Sequence, residues 1–231
     1  MTLAPSSLSL EAPIVADYML RMIGNFCYDI EVYDFDPKLA KLPIQIRGSS
    51  DLEPDGENLA IAMKNVMRDP SNREMFSRLV ADVLPFVRSF DTEQLLDNSV
   101  MLTQENYFAN KPIPATLISD GTINVTALIC ALYFQHNPLA IIEEPERNIH
   151  PALIAKIVDM IKDASRRKQV IATTHSAEMV RHTHIENILL IERDETGNSK
   201  VIKPGNRENV NEFLKNDMDI RELYIQNMLG D

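Results

Sequence analysis

No apolar run in this chain approaches the roughly 20 residues needed to span a bilayer, so a helical membrane anchor is not expected. The opening stretch MTLAPSSLSLEAP has neither a basic start nor a sustained apolar segment, and it does not read as a secretory signal. Cysteine is scarce. Cys27 and Cys130 sit among apolar neighbours without CxxC or Cys/His spacing, which argues against a disulfide framework or a zinc site. A reducing cytoplasm is the expected location. Positive charge is also short: 23 Lys and Arg against 34 Asp and Glu leave a formal net charge of −11, which disfavours a surface that broadly attracts nucleic acid. The one compact basic run, Arg166-Arg167-Lys168, is expected to end a helix, where cations suit the C-terminal dipole. Repeats and low-complexity tracts are absent too. What is present is ordinary globular usage, 45% hydrophobic and 25% charged, enough to bury a core in one large domain or one and a half small ones.

The first part of the chain predicts a helix over Ile14 to Phe26 and a strand over Tyr28 to Phe35. Gly48-Ser49-Ser50 and Pro54-Asp55-Gly56 then punctuate it. A helix is expected from Glu57 to Met67. After Asp69-Pro70-Ser71, a second carries Met75, Phe76, Leu79, Val80, Val83 and Leu84 at helical spacing, most simply a core face. Val100 to Thr103 is a candidate short strand. From Leu117 the pattern becomes regular: a helix opened by Asp120-Gly121-Thr122 and reaching Gln135, then the wholly apolar run Leu139 to Ile142, suited to a strand buried on both faces. An amphipathic helix follows through Leu153, Ile154, Ile157, Val158 and Ile161, and then β-rich runs at Gln169 to Thr174 and Ile188 to Ile191. A turn at Thr196-Gly197-Asn198 returns the chain at Val201-Ile202. Strand, helix, strand with this crossover length implies a right-handed parallel βαβ unit, and the C-terminal half is α/β.

Three segments of that half carry chemistry. Glu143 and Glu144 stand at the C-terminal edge of a parallel strand, where open α/β sheets bind ligands. One carboxylate can hold Mg²⁺ and the other can position a water or act as general base toward a γ-phosphate. Alone, two glutamates that open a surface loop explain the pattern as well. The next strand ends in Thr173-Thr174-His175-Ser176, which places a histidine at the same edge one crossover away. A neutral imidazole there can hydrogen-bond a γ-phosphate oxygen or the attacking water. Upstream, Ser119 caps a helix start whose backbone N–H groups can face an anion; capping alone accounts for Ser119 equally well.

In this order, ISDGT (Ile118 to Thr122), LAIIEEPE (Leu139 to Glu146), IHP (Ile149 to Pro151) and TTHS (Thr173 to Ser176) resemble the ATPases related to RecF, SMC and the OLD nucleases, members of the ABC-type class. The resemblance runs from about Leu117 to Arg193 and more loosely over Asp55 to Val87. It implies a partial ABC-ATPase-like α/β sheet with a parallel βαβ core and an inserted helical subdomain. It further implies that Ser119, Asp120, Gly121 and Thr122 form the signature motif gripping the γ-phosphate of ATP held by an opposite subunit. Glu143 is then the acid supporting Mg²⁺, Glu144 the catalytic glutamate, His175 the switch histidine, and His150 part of the segment that crosses the dimer interface.

The family's phosphate-binding loop, GxxxxGK[ST], is absent: the seven glycines, at 24, 48, 56, 121, 197, 205 and 230, include no pair at that spacing before a lysine. Nor is a Q-loop residue assignable, with Gln45, Gln94 and Gln104 as the options. The remaining length leaves no room for a nuclease domain after His175. The expected organisation is a remnant of an ATPase lobe over 1–54, a helical subdomain with short strands over 55–116, an ATPase core over 117–205 and a helical tail over 206–231. Two functions fit. One is part of an ATPase that uses ATP and Mg²⁺ at a dimer interface once a P-loop lobe is supplied by a missing N-terminal segment or a separate polypeptide, as a homodimer or with a P-loop-bearing partner chain, and that does not hydrolyse ATP unaided. The other is a non-hydrolysing dimerisation or regulatory module. Nucleic acid enters by family analogy alone.

Overall fold

The computed structural model describes residues 29–46, 51–108, 111–216 and 218–230; the expected helix over Ile14 to Phe26, Cys27 and Gly48-Ser49-Ser50 lie outside them. In chain order the described elements are β1 (Ile30–Tyr33), α1 (Pro37–Ala40), β2 (Ile44–Gln45), α2 (Leu59–Val66), α3 (Pro70–Val83), β3 (Val87–Gln94), β4 (Ser99–Asn106) and β5 (Ile113–Pro114). They continue with α4 (Asp120–Tyr133), β6 (Leu139–Glu143), α5 (Ile154–Ala164), β7 (Gln169–Thr173), α6 (Ala177–Arg181), β8 (Leu190–Arg193), β9 (Ser199–Ile202), α7 (Glu208–Lys215) and α8 (Ile220–Ile225).

Three sheets result. β1, β6 and β7 form a parallel sheet in the order β1-β6-β7; β3 and β4 pair antiparallel with β2 and β5 attached to β4; β8 and β9 form a separate hairpin. The architecture is mixed α/β, with β6-α5-β7 as the parallel crossover. The last β-rich run does not extend the parallel sheet. Its turn folds it back on itself, with Gly197 at φ +86° and the Asp194 carboxylate accepting from the Thr196 and Asn198 backbone N–H groups. The third parallel strand is instead β1, which lies against β6 in register from Ile30 opposite Leu139 to Tyr33 opposite Ile142.

The core is built around α4, whose residues Thr122 to Leu132 are all buried, as expected of a helix apolar on every side. Ser119 caps its start, accepting from the Thr122 N–H at 3.2 Å. Its C-terminal carbonyls are held by a lysine from another element. Lys168 Nζ donates to Ala131 O at 2.7 Å and Gln135 O at 3.0 Å, and to Asn137 Oδ1 at 3.1 Å. Burial, and then the neighbouring Arg167, lower the Lys168 pKa to about 8. Two residues of the basic run are therefore engaged within the fold: Arg167 also lies over the Tyr133 ring, 4.9 Å from its centroid.

Cys130, on α4, is wholly buried, and burial pushes its thiol up to about 12. Because the folded value lies above the unfolded one, this contribution to stability is complete below about pH 8.5 and is lost as pH rises toward the folded value. In a Cys27→Ser background, Cys130 is expected to resist a thiol reagent in native buffer and to react only at the rate of unfolding. Rapid native labelling would contradict that burial.

The parallel sheet is covered unequally. Tyr33, Ala140 and Ile142 point into the core, whereas Val32 and Ile171, which flank Ile141 on the opposite face, are 44% and 42% exposed. Parallel sheets are normally covered on both faces, so this apolar row is a face without a partner among the described residues.

Candidate functional site

The loop that leaves β6 joins the three segments singled out in the sequence. Glu143 ends β6 exposed, opposite Thr173. Glu144 then turns the chain at φ +40°, a left-handed conformation rare for a residue with a side chain, and its N–H donates to Thr173 O at 3.0 Å. The turn is closed by the Arg147 N–H on Glu144 O at 2.8 Å and by the Ile149 N–H on Glu146 O at 3.0 Å; Asn148 sits at φ +62°.

On one side this loop packs on the start of α4. Asn124 Nδ2 donates to Arg147 O at 2.7 Å. A Cβ on Gly121 would come within 3.0 Å of Asn148 O, closer than Cβ atoms approach backbone, so the glycine serves the approach of the loop. On the other side it holds the segment of His175: the Thr174 hydroxyl donates to Glu146 Oε1 and accepts from the Ser176 N–H. His175 lies two residues past the end of β7 and is exposed. Glu146 Oε2 is buried without a partner among the described residues.

Residues outside the sequence-level candidates complete the cluster. Arg147 donates from Nε to Glu144 Oε2 at 3.1 Å and from Nη1 to Asp34 Oδ1 at 2.6 Å, so a carboxylate just past β1 joins the edge formed by β6 and β7. The bond to Asp34 contributes most to raising the Arg147 pKa, against partial burial, and the bond to Glu144 adds to it. Lys41 pairs with the carboxylate of Asp120 in the first turn of α4. Asp34 had a usable signal, being the acid at the carboxyl end of the expected strand Tyr28 to Phe35. Lys41 had none, because Asp120 is 79 positions away, and for Arg147 only the neighbouring Glu144 was in view, Asp34 being 113 positions away.

His150 is placed at the helix entry, where its Nδ1 accepts from the Ala152 N–H at 3.2 Å. Among the three glutamines, Gln45 and Gln94 are exposed, whereas Gln104 is buried, its Oε1 unpartnered among the described residues. Gln104 lines a cleft of about 160 Å³ with Phe86, Leu117, Ser119 and Thr122, beside the start of α4 rather than beside Glu143.

The donor set bears on a metal and an anion. Among the described residues no group of three or more His, Cys, Asp or Glu side chains is arranged to hold a metal ion. A single exposed strand-end carboxylate such as Glu143 suits Mg²⁺, which keeps several waters and binds through one or two carboxylates together with phosphate oxygens. At the start of α4 Ser119 takes the Thr122 and Ile123 N–H groups, which leaves those of Asp120 and Gly121 for an anion, and Lys41 offsets the Asp120 charge that would otherwise repel phosphate there.

The family described as "AAA domain, putative AbiEii toxin, Type IV TA system" matches residues 44–181, more than half of the chain. The chain belongs to this family. The match takes in Ser119 to Thr122, Glu143, Glu144, His150 and His175, while β1 and the elements from β8 onward fall outside it. This AAA-family chain is also similar to solved SMC ATPase heads. One comes from work titled as the structural biochemistry of ATP-driven dimerization and DNA-stimulated activation of SMC ATPases, at 17% identity and TM-score 0.47, covering 63% of this chain and 87% of that one. A second is an SMC head bound to the C-terminal winged-helix domain of ScpA, at 18% and 0.49, covering 76% and 55%. A third is the Pyrococcus furiosus head with an extended coiled coil, bound to the C-terminal domain of ScpA, at 17% and 0.47, covering 69% and 44%. The chain thus spans most of the first but about half or less of the other two. No curated protein matches it.

Proposed function

We propose that this chain is the C-terminal, hydrolysis-side part of an ABC/RecF/OLD-type ATPase, acting on Mg-ATP at an interface completed by a P-loop lobe. The observation that carries this is the single loop, Glu143 to Ile149, hydrogen-bonded at once to the start of α4 and to the strand end before His175. A loop with two purely structural glutamates has no need to touch both.

In this reading the first-turn N–H groups of α4, with Ser119 and Thr122, face the terminal phosphate of a nucleotide held opposite. Glu143 holds Mg²⁺, whose bound form supplies charge neutralisation on the phosphate oxygens. Glu144 orients a water and accepts its proton, and His175 donates to a phosphate oxygen. His150, at the helix entry, lies in the segment that meets the opposite subunit. The P-loop lobe, from a separate polypeptide or a segment outside the given sequence, covers the apolar row of Val32, Ile141 and Ile171. Residues 1–54 are then the remnant of that lobe, 55–116 a subdomain, 117–205 the catalytic core and 206–231 a tail. No described helix is long and apolar enough to cross a membrane, and the free buried thiol of Cys130 suits the cytoplasm. Nucleic acid is an analogy with the family.

One observation favours a second reading, a non-hydrolysing dimerisation or regulatory module: the sequence holds no GxxxxGK[ST] loop. The two separate by experiment. Hydrolysis predicts that Mg-ATP drives this chain onto a P-loop-bearing lobe and is consumed there. A regulatory module associates with no need of ATP.

A further inference from the structure

We propose that Arg147 is the positioning residue of Glu144, anchored in turn by Asp34. The inference rests on the reading of Glu144 as the water-orienting carboxylate.

Glu144 occupies a left-handed backbone conformation, and its side chain is about one-third exposed, 37%. Packing alone leaves such a carboxylate free to rotate. A catalytic carboxylate must be held within a fraction of an ångström of its working position by neighbours that are themselves fixed. Arg147 meets that requirement on three counts. Its Nε takes Glu144 Oε2 and leaves Oε1 without a partner among the described residues, so one oxygen is fixed and the other is open to a water. Its Nη1 is tied to Asp34, on the neighbouring strand end. Its backbone carbonyl is held by Asn124 of α4, the helix that carries the signature segment. The planar guanidinium spans two carboxylates at once, which a lysine ammonium does not reproduce. The chain from Asn124 through Arg147 to Glu144 links the helix expected to meet an opposite nucleotide with the group expected to activate the water. The arginine does not touch the reacting atoms. It acts through Glu144.

Two readouts test this. In the free chain, the Arg147 Nε–H signal in a nuclear magnetic resonance spectrum is expected to be protected from solvent exchange. It should shift in both Glu144→Gln and Asp34→Asn, with the rest of the spectrum unchanged. A signal that exchanges freely, or ignores both substitutions, overturns the clamp. In the assembly with a P-loop lobe, Arg147→Ala and Arg147→Lys are each expected to lower kcat about 10- to 100-fold with KM nearly unchanged. Adding Arg147→Ala to Glu144→Gln should cause no further loss, since the group being positioned is already disabled. Parental kcat in Arg147→Ala, or losses that multiply in the double variant, overturns the positioning role. Parental kcat in Glu144→Gln alone instead overturns the reading of Glu144, a distinct failure. Asp34→Asn, at an exposed position, guards against confusing misfolding with loss of positioning.

Discussion

Glu144→Gln is expected to lower ATP turnover by the assembled protein about 10²- to 10⁴-fold, the usual contribution of a positioned general base. The amide is nearly isosteric and still able to accept the Arg147 Nε–H, so the loop should keep its shape. What is lost is the capacity to take a proton from water. Nucleotide binding should survive, and the closed assembly should persist because ATP is no longer consumed. Steady-state turnover and the lifetime of the ATP-bound complex check the two halves of this expectation. Glu143→Gln should behave differently, weakening the Mg²⁺ dependence of binding before it alters the water. If both variants turn over at the parental rate, the strand-end glutamates are a surface pair and nothing more.

Gly121→Ala is the substitution with the largest expected structural effect. The new Cβ would meet the Asn148 carbonyl, a backbone atom in a closed turn, at a distance that forces a shift. Overpacking of this kind costs about 1–3 kcal/mol. The displaced atoms belong to the loop that fixes Glu144, so activity should fall further than stability explains. Chemical denaturation measures the first effect and turnover at full saturation the second. Gly197→Ala is the contrasting case. The space beside it is empty and only its positive φ resists the change, so it should cost stability without touching the loop.

Glu143, Glu144 and His175 were legible as candidates because they sit at strand ends. The run Leu139 to Ile142 is continuous and apolar and does form a parallel strand, though only one of its faces is covered among the described residues, and the two glutamates follow it directly. The partners that set their geometry were not readable. Arg147 looks like a solvent-exposed loop residue until the fold brings Asp34, 113 positions away, within reach. Gly121 was expected in the segment that grips a phosphate, and nothing in the sequence signals that the space left by its missing Cβ is used by Asn148. Lys168 was expected, with Arg166 and Arg167, only as a cation suited to the end of the helix it follows; that its Nζ caps the C-terminal end of α4 was not legible.

The fold shows the same division. α3 kept its expected stripe and begins at Pro70 under an Asp69 cap, because local signals agreed. β3 was missed. A bulge between Val87 and Ser89 breaks the alternation, so Val87 and Phe90 are buried at a spacing that does not read as a strand. β4 runs on to Asn106, past its expected end at Thr103, because its last residues pair with β3 and β5 through backbone groups that polar side chains conceal. In β1, strand and parallel pairing depend on β6, some 100 residues later, and only the strand could be seen in advance.

The most direct test of the central claim is the mass of the species formed by this chain and a P-loop-bearing lobe, measured with and without Mg-ATP, with Glu144→Gln used to prevent turnover. The account predicts a complex that forms only with Mg-ATP and is weakened by Ser119→Ala and by His175→Ala. A complex of equal mass and affinity without nucleotide would contradict it, as would tight binding of Mg-ATP by this chain with no P-loop lobe present.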